Sequence, residues 1–384
     1  MTTWSVVKDD TRQKRRRELI PRSALLACLA LVVVSLGMAF SPGSPKEPAE
    51  PPFSEQARSA ALTETMRLRA AGEELARSTA GDGEPAVART VSLLTSQARA
   101  LLVPGQDGPG SSPAPVSPSS AAPSASASAA APTTAPLPAT AAALATELAA
   151  SASQRLADAA VADGGMARLL AAVGTAQLLQ ASSLAAAAGA PAPAAPGPAA
   201  PQLSGACPSA PASPSTSASS SQAPASAGAE TGAATLPGAL AATVRTELET
   251  VYGYQVALTR LGGDAAASAS QQLARHEALA AGAEALSRMH CAAVPSREAG
   301  YTMAPEFLAS PAAGLGGLEA SALTVYGDLV ALSEGQTRQW AISGLVGAAR
   351  RSALWGAETG VLPGLAADPA AFPELPAPAV SPAP

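Results

Sequence analysis

Two hydrophobic patterns divide the chain. The first is one unbroken apolar run, residues 24–40 (ALLACLALVVVSLGMAF). It carries no charge and has the length of a short spanning helix or a long signal core. Arg12, Lys14, Arg15, Arg16, Arg17 and Arg22 precede it, and that cationic flank predicts that residues 1–23 stay on the cytoplasmic side. Gly37 and Ala39 occupy the −3 and −1 positions of a signal-peptidase cut. A cleaved signal and a retained anchor are therefore both open, with the anchor preferred.

The second pattern is helical periodicity, in blocks separated by tracts rich in Pro, Ser and Ala. Residues 54–103 read as a helical pair with Ser54 as N-cap and a break at Gly81-Asp82-Gly83; residues 137–188 read as an alanine-rich pair broken at Asp163-Gly164-Gly165. Between and after them, residues 104–136 and 189–235 lack both the apolar content for a core and the alternation of a strand. They are expected to be disordered spacers, as is the tail 377–384. No β-strand is required, so the fold class is all-α.

The last block, residues 236–376, is the densest in large side chains and predicts four helices, at 237–261, 265–290, 311–334 and 336–355. Pro237 and Pro311 suit first turns, and Gly262-Gly263 and Gly335 serve as stops. The connection between the second and third helices, 291–310, is much longer than the others. A four-helix bundle with one long crossover is the natural result.

Composition narrows what this bundle can be. Aromatic residues are 3% of the chain, and the 47% hydrophobic share is dominated by alanine, which buries little surface per ordered residue. The net charge is −5 and no basic cluster follows the N-terminal segment, which excludes a nucleic-acid footprint. Hydrolase elbows and phosphate-binding loops are missing, and there are two histidines, His276 and His290. Hydrolase and nucleotide-dependent chemistry are thus not indicated; whether the chain is an enzyme stays open, with the non-enzyme reading preferred and no cofactor expected. Of three cysteines, Cys28 lies in the apolar run. Cys207 and Cys291 remain as a pair that could form a disulfide in an oxidising compartment.

On a helical wheel, Leu240, Val244, Val251 and Leu258 mark one face of the first helix, with Glu247 and Tyr254 beside them. Ala322, Leu323, Leu329 and Val330 mark the third, with Glu319 and Tyr326 among them. Each Glu and its Tyr are seven residues apart, about 10 Å along the axis on the same side. His276 shares the face of Leu273, Ala280 and Ala283, and folding back at Gly262 brings it level with Glu247. Buried carboxylates require neutralisation. Arg350 and Arg351 stand at a matching depth in the fourth helix, and the expected buried polar network comprises Tyr254, Tyr326, Arg338 and Arg350.

The order Glu247, Tyr252, Tyr254, Arg275-His276, Tyr301, Met303, Pro305, Leu318-Glu319, Tyr326, Arg338, Trp355 and Phe372-Pro373 resembles a ferritin-like domain family of unknown function found in exported proteins of high-GC bacteria. The resemblance covers the C-terminal third. It implies a ferritin-like bundle in which Glu247 and Glu319 correspond to the first- and third-helix ligands of di-iron carboxylate proteins. Such a centre also needs Glu-x-x-His on the second and fourth helices. Here Leu273 stands three residues before His276, and 336–355 contains no Glu, Asp or His.

Three functions arise as expectations. The first is an envelope-held binding or structural module with a degenerate metal site. The second is a sensor, carrier or oxidase binding iron, manganese or zinc through Glu247, His276 and Glu319. The third makes the alanine-rich helices a contact face for a protein partner or a second copy. The expected location is the cytoplasmic membrane with the C-terminal part outside, or secretion after cleavage.

Overall fold

The computed structural model describes residues 50–78, 85–102, 137–192, 199–205, 207 and 235–376. The apolar run 24–40, its basic flank 1–23, the break at 81–83, the spacer 104–136, most of the spacer 189–235 and the tail 377–384 lie outside the described residues. The chain divides at Pro51 into two compact units. Of the first, Glu50 and Pro51 are described. Every described helix belongs to the second, which begins at Pro52.

Among the described residues every regular element is helical, and there is no strand. The N-terminal elements are α1 (Phe53–Ser78), α2 (Pro85–Leu101), α3 (Ala141–Val161) and α4 (Gly164–Ala187). The C-terminal elements are α5 (Leu236–Leu258), α6 (Gly263–Met289), the short α7 (Pro305–Ala309), α8 (Pro311–Leu332) and α9 (Gly335–Leu354), with a 3-10 turn beyond them at Pro369–Ala371. The crossover between α6 and α8 is thus interrupted by α7, whose Phe307 is buried.

Local chemistry sets several of these boundaries. Thr140, Asp163 and Thr235 cap α3, α4 and α5 by accepting the amides of Ala143, Met166 and Gly238. Ser54 lies inside the first turn of α1 rather than capping it, and its hydroxyl accepts the Asp163 amide at 2.8 Å. Gly263 and Gly335, expected as helix stops, instead open α6 and α9 at φ +54° and +55°. The chain reverses just before them, and their left-handed conformation sets each new helix direction.

The two halves share one core. Ala57 and Ala61 of α1, Leu170 and Val173 of α4, Leu240 and Val244 of α5, Leu329 and Val330 of α8 and Ile342 and Val346 of α9 belong to a single buried cluster. Contacts link α8 to α4 and α9 to α3, as well as each hairpin to itself. A smaller cluster holds the far ends of α1 to α4 together, around Leu68, Leu94, Leu148 and Leu184.

Buried amides join the halves as well. Gln177 donates to Gln97 at 3.0 Å and accepts from Ser151 at 2.8 Å, while Gln97 donates to the Val361 carbonyl at 3.3 Å. The segment after α9 is strapped onto the N-terminal helices by Arg168 on the Gly364 carbonyl (2.7 Å) and Arg99 on the carbonyls of Phe372 (2.7 Å) and Pro373 (2.9 Å). Cys207 and Cys291 form a disulfide with Cα atoms 5.2 Å apart, which pins the chain before α5 to the end of α6.

By length and composition, α4 and α8 are apolar enough to cross a membrane. In the bundle 67% and 50% of their most apolar windows are buried.

Candidate functional site

Helix α5 runs antiparallel to α8, so the two Glu–Tyr repeats cross. Tyr254 of α5 donates to Glu319 of α8 at 2.8 Å, and Tyr326 of α8 donates to Glu247 of α5 at 2.6 Å. Between the carboxylates stands His276 of α6, with Nδ1 2.7 Å from Glu247 and Nε2 2.7 Å from Glu319. Arg351 of α9 completes the centre, its Nε 2.9 Å from each oxygen of Glu319. Trp355 extends the chain outward, donating through Nε1 to the Tyr254 hydroxyl at 2.7 Å. Gly344 makes room for the Tyr326 ring, since a Cβ there would lie 2.1 Å from a ring carbon.

Glu247, His276, Glu319, Tyr254 and Tyr326 have no solvent exposure, and Arg351 has 6%. Both ring nitrogens of His276 face carboxylate oxygens. A neutral imidazole has one N–H, so only the imidazolium can donate to both. With His276 and Arg351 positive and the two glutamates negative, the centre is neutral overall. Such balance is what burial of four charges requires.

The ionisation shifts agree with this. Burial is the largest influence on His276 and disfavours its cation, but hydrogen bonds to Glu247 and Glu319 outweigh it and raise its pKa above the ordinary 6.5. Burial likewise works to raise Glu319, yet His276 and Arg351 beside it bring its pKa below 4.5. Burial, then the neighbouring carboxylates, push Tyr254 and Tyr326 upward, so both keep their protons.

The structure thus brings together Glu247, His276, Glu319, Tyr254 and Tyr326. It does not bring in Arg338 or Arg350. Arg338 is buried at the start of α9, where it donates to the carbonyls of Val330 (3.1 Å) and Ala162 and joins α9 to α8 and α3. Arg350 is exposed, and the arginine of the centre is its neighbour Arg351. Matching depth along the axis does not separate them. One residue rotates the side chain by about 100°, and Arg351 follows the inward positions Gly344 and Ala348. The other histidine, His290, caps the end of α6 and lies 2.8 Å from the Thr337 hydroxyl.

A di-iron centre does not fit these residues. Carboxylate ligands would have to turn free lone pairs to a common point, but each ring nitrogen of His276 is aimed at a different carboxylate and Arg351 occupies both oxygens of Glu319. Among the described residues, no group of three His, Cys, Asp or Glu could hold a metal ion. On α9 the residue that faces Glu319 is a cation, Arg351.

The fold and centre define an all-α bundle with a buried ionic core. A family model described as Domain of unknown function (DUF4439) matches residues 239–367, from within α5 into the first part of the strap after α9. No curated protein and no solved structure matches the chain.

Proposed function

We propose that the C-terminal bundle is a ferritin-like scaffold in which an ionic lock stands where a metal centre would, and that the protein is a non-enzymatic module of the cell envelope. The observation that carries this reading is His276, wedged at 2.7 Å between carboxylates from two helices. Glu247, Glu319, His276 and Arg351 then join α5, α6, α8 and α9 without bound metal. Arg351 brings to Glu319 the positive charge that iron would otherwise supply.

The apolar run 24–40 and its arginine flank support a bundle held outside the cytoplasm, in a membrane-anchored or exported protein of the kind found in high-GC bacteria. The Cys207–Cys291 disulfide favours the same location, because such bonds persist in oxidising compartments. The alanine-rich helices α1 to α4 bury their apolar faces on one another and on the bundle, which favours a structural role for them over a partner-binding one.

Metal analysis of the purified full chain tests the proposal against the sensor, carrier or oxidase reading. Metal-free protein whose melting temperature is unchanged by added iron, manganese or zinc is expected. Stoichiometric metal that is lost in the Glu247→Ala, Glu319→Ala double variant would establish the metal reading instead.

A further inference from the structure

Arg350, turned out of the ionic centre, lines a cleft of about 350 Å³ at the seam between α2, α4, α9 and the turn at Thr359-Gly360. That volume lies in the range of small-ligand sites. The inner lining is apolar, with Ala176 and Leu178 buried and Leu93 and Leu179 half-buried. Around the rim stand Arg350, Ser183 and Thr359. No carboxylate lines the cleft. Among the described residues Arg350 has no hydrogen-bond or ion-pair partner, in contrast to Arg351, whose charge is matched by Glu319.

Hydrogen-bonding capacity in the cleft is unbalanced in the same direction. Arg350 offers five N–H donors and no acceptor. Gln180 already gives its amide to the Thr90 hydroxyl and the Ala86 carbonyl. The lining therefore combines an apolar bed with a guanidinium and hydroxyls at its edge. The C-terminal turns of α4 and α9 lie close by, and their carbonyls carry about half a negative charge each. They favour the position of Arg350 and are opposed by its full charge.

We propose that this cleft binds a small amphiphilic carboxylate, an alkyl chain with an anionic head, whose tail lies on Leu93, Leu178 and Leu179 and whose head pairs with Arg350. A head of this kind satisfies the guanidinium in a bidentate geometry. The tail covers the surface that the half-buried Leu93 and Leu179 leave open to water.

Calorimetric titration of the full chain with decanoate tests the assignment, with acetate as the head-only control and decanol as the tail-only control. Saturable binding of one decanoate per chain is expected. Arg350→Glu should weaken it by about tenfold or more, Arg350→Lys, which keeps the charge and loses the bidentate fork, should weaken it less than Arg350→Glu does, and decanol and acetate should each bind at least about tenfold more weakly. Ser183→Phe, a surface change that fills the cleft, gives a second reading and should abolish binding while the helical circular dichroism stays native. Absence of saturable decanoate binding, or affinity indifferent to both Arg350→Glu and Ser183→Phe, would overturn the proposal.

Discussion

His276→Ala is expected to lower the unfolding free energy by about 3–5 kcal/mol, the cost of removing one member from a buried ionic network. Its loss leaves Glu247 and one side of Glu319 without the donor that lies 2.7 Å from each. The remaining donors are the hydroxyls of Tyr326 and Tyr254 and the guanidinium of Arg351. Glu247 then keeps only a neutral partner in a sealed core, the costly condition for a buried carboxylate. At roughly 2–4 °C per kcal/mol for a domain of this size, the thermal midpoint should fall by roughly 6–20 °C. The exposed neighbour Glu249→Ala provides the control, expected within about 0.5 kcal/mol of the parent. Thermal unfolding monitored by helical circular dichroism measures both. A His276→Ala midpoint equal to that of the control would mean that the network contributes nothing.

Removing residues 52–192 should have an effect of similar size and a different kind. The family match at 239–367 suggests a self-sufficient domain, but in this chain α8 and α9 share a core with α3 and α4. Without them Leu329, Val330, Ile342 and Val346 lose part of their cover, and the strap loses its contacts with Gln97, Arg99 and Arg168. Exposed apolar surface on that scale drives association. Size-exclusion chromatography with light scattering is expected to show oligomer or aggregate. A stable monomer with the parent's melting temperature would show that the N-terminal helices are dispensable to the bundle.

Much of this architecture is readable from periodicity. The helix content, the long crossover and the inward positions of Glu247, Tyr254, His276, Glu319 and Tyr326 come from where apolar residues recur. Pairing is not readable in the same way. Each Glu and its own Tyr share a helix face in sequence, yet the contacts are exchanged between α5 and α8 because the helices run antiparallel. That is a property of topology and not of spacing. Depth along α9 suits Arg350 as well as Arg351, and it is azimuth that selects Arg351. Alanine composition also understates the core. Small side chains let helices approach closely, and Ala167, Ala171, Ala341 and Ala348 are fully buried in the shared cluster. The joining of the two halves through Gln97, Gln177 and the strap is a long-range arrangement that no local pattern encodes.

Stability should depend on pH in a way set by the same residues. The raised pKa of His276 gives stabilisation that is complete below its ordinary 6.5 and is lost as pH rises through the folded value. The lowered pKa of Glu319 gives stabilisation that is present above 4.5 and is lost as pH falls through the folded value. The most direct measurement is the protonation of His276 itself, by nitrogen NMR of the full chain titrated upward from about one pH unit below neutrality. An ionic lock predicts that both ring nitrogens still carry protons at a pH where a solvent-exposed imidazole has already lost one. A ring with one protonated nitrogen at that pH, free to offer the other to a metal, would contradict it.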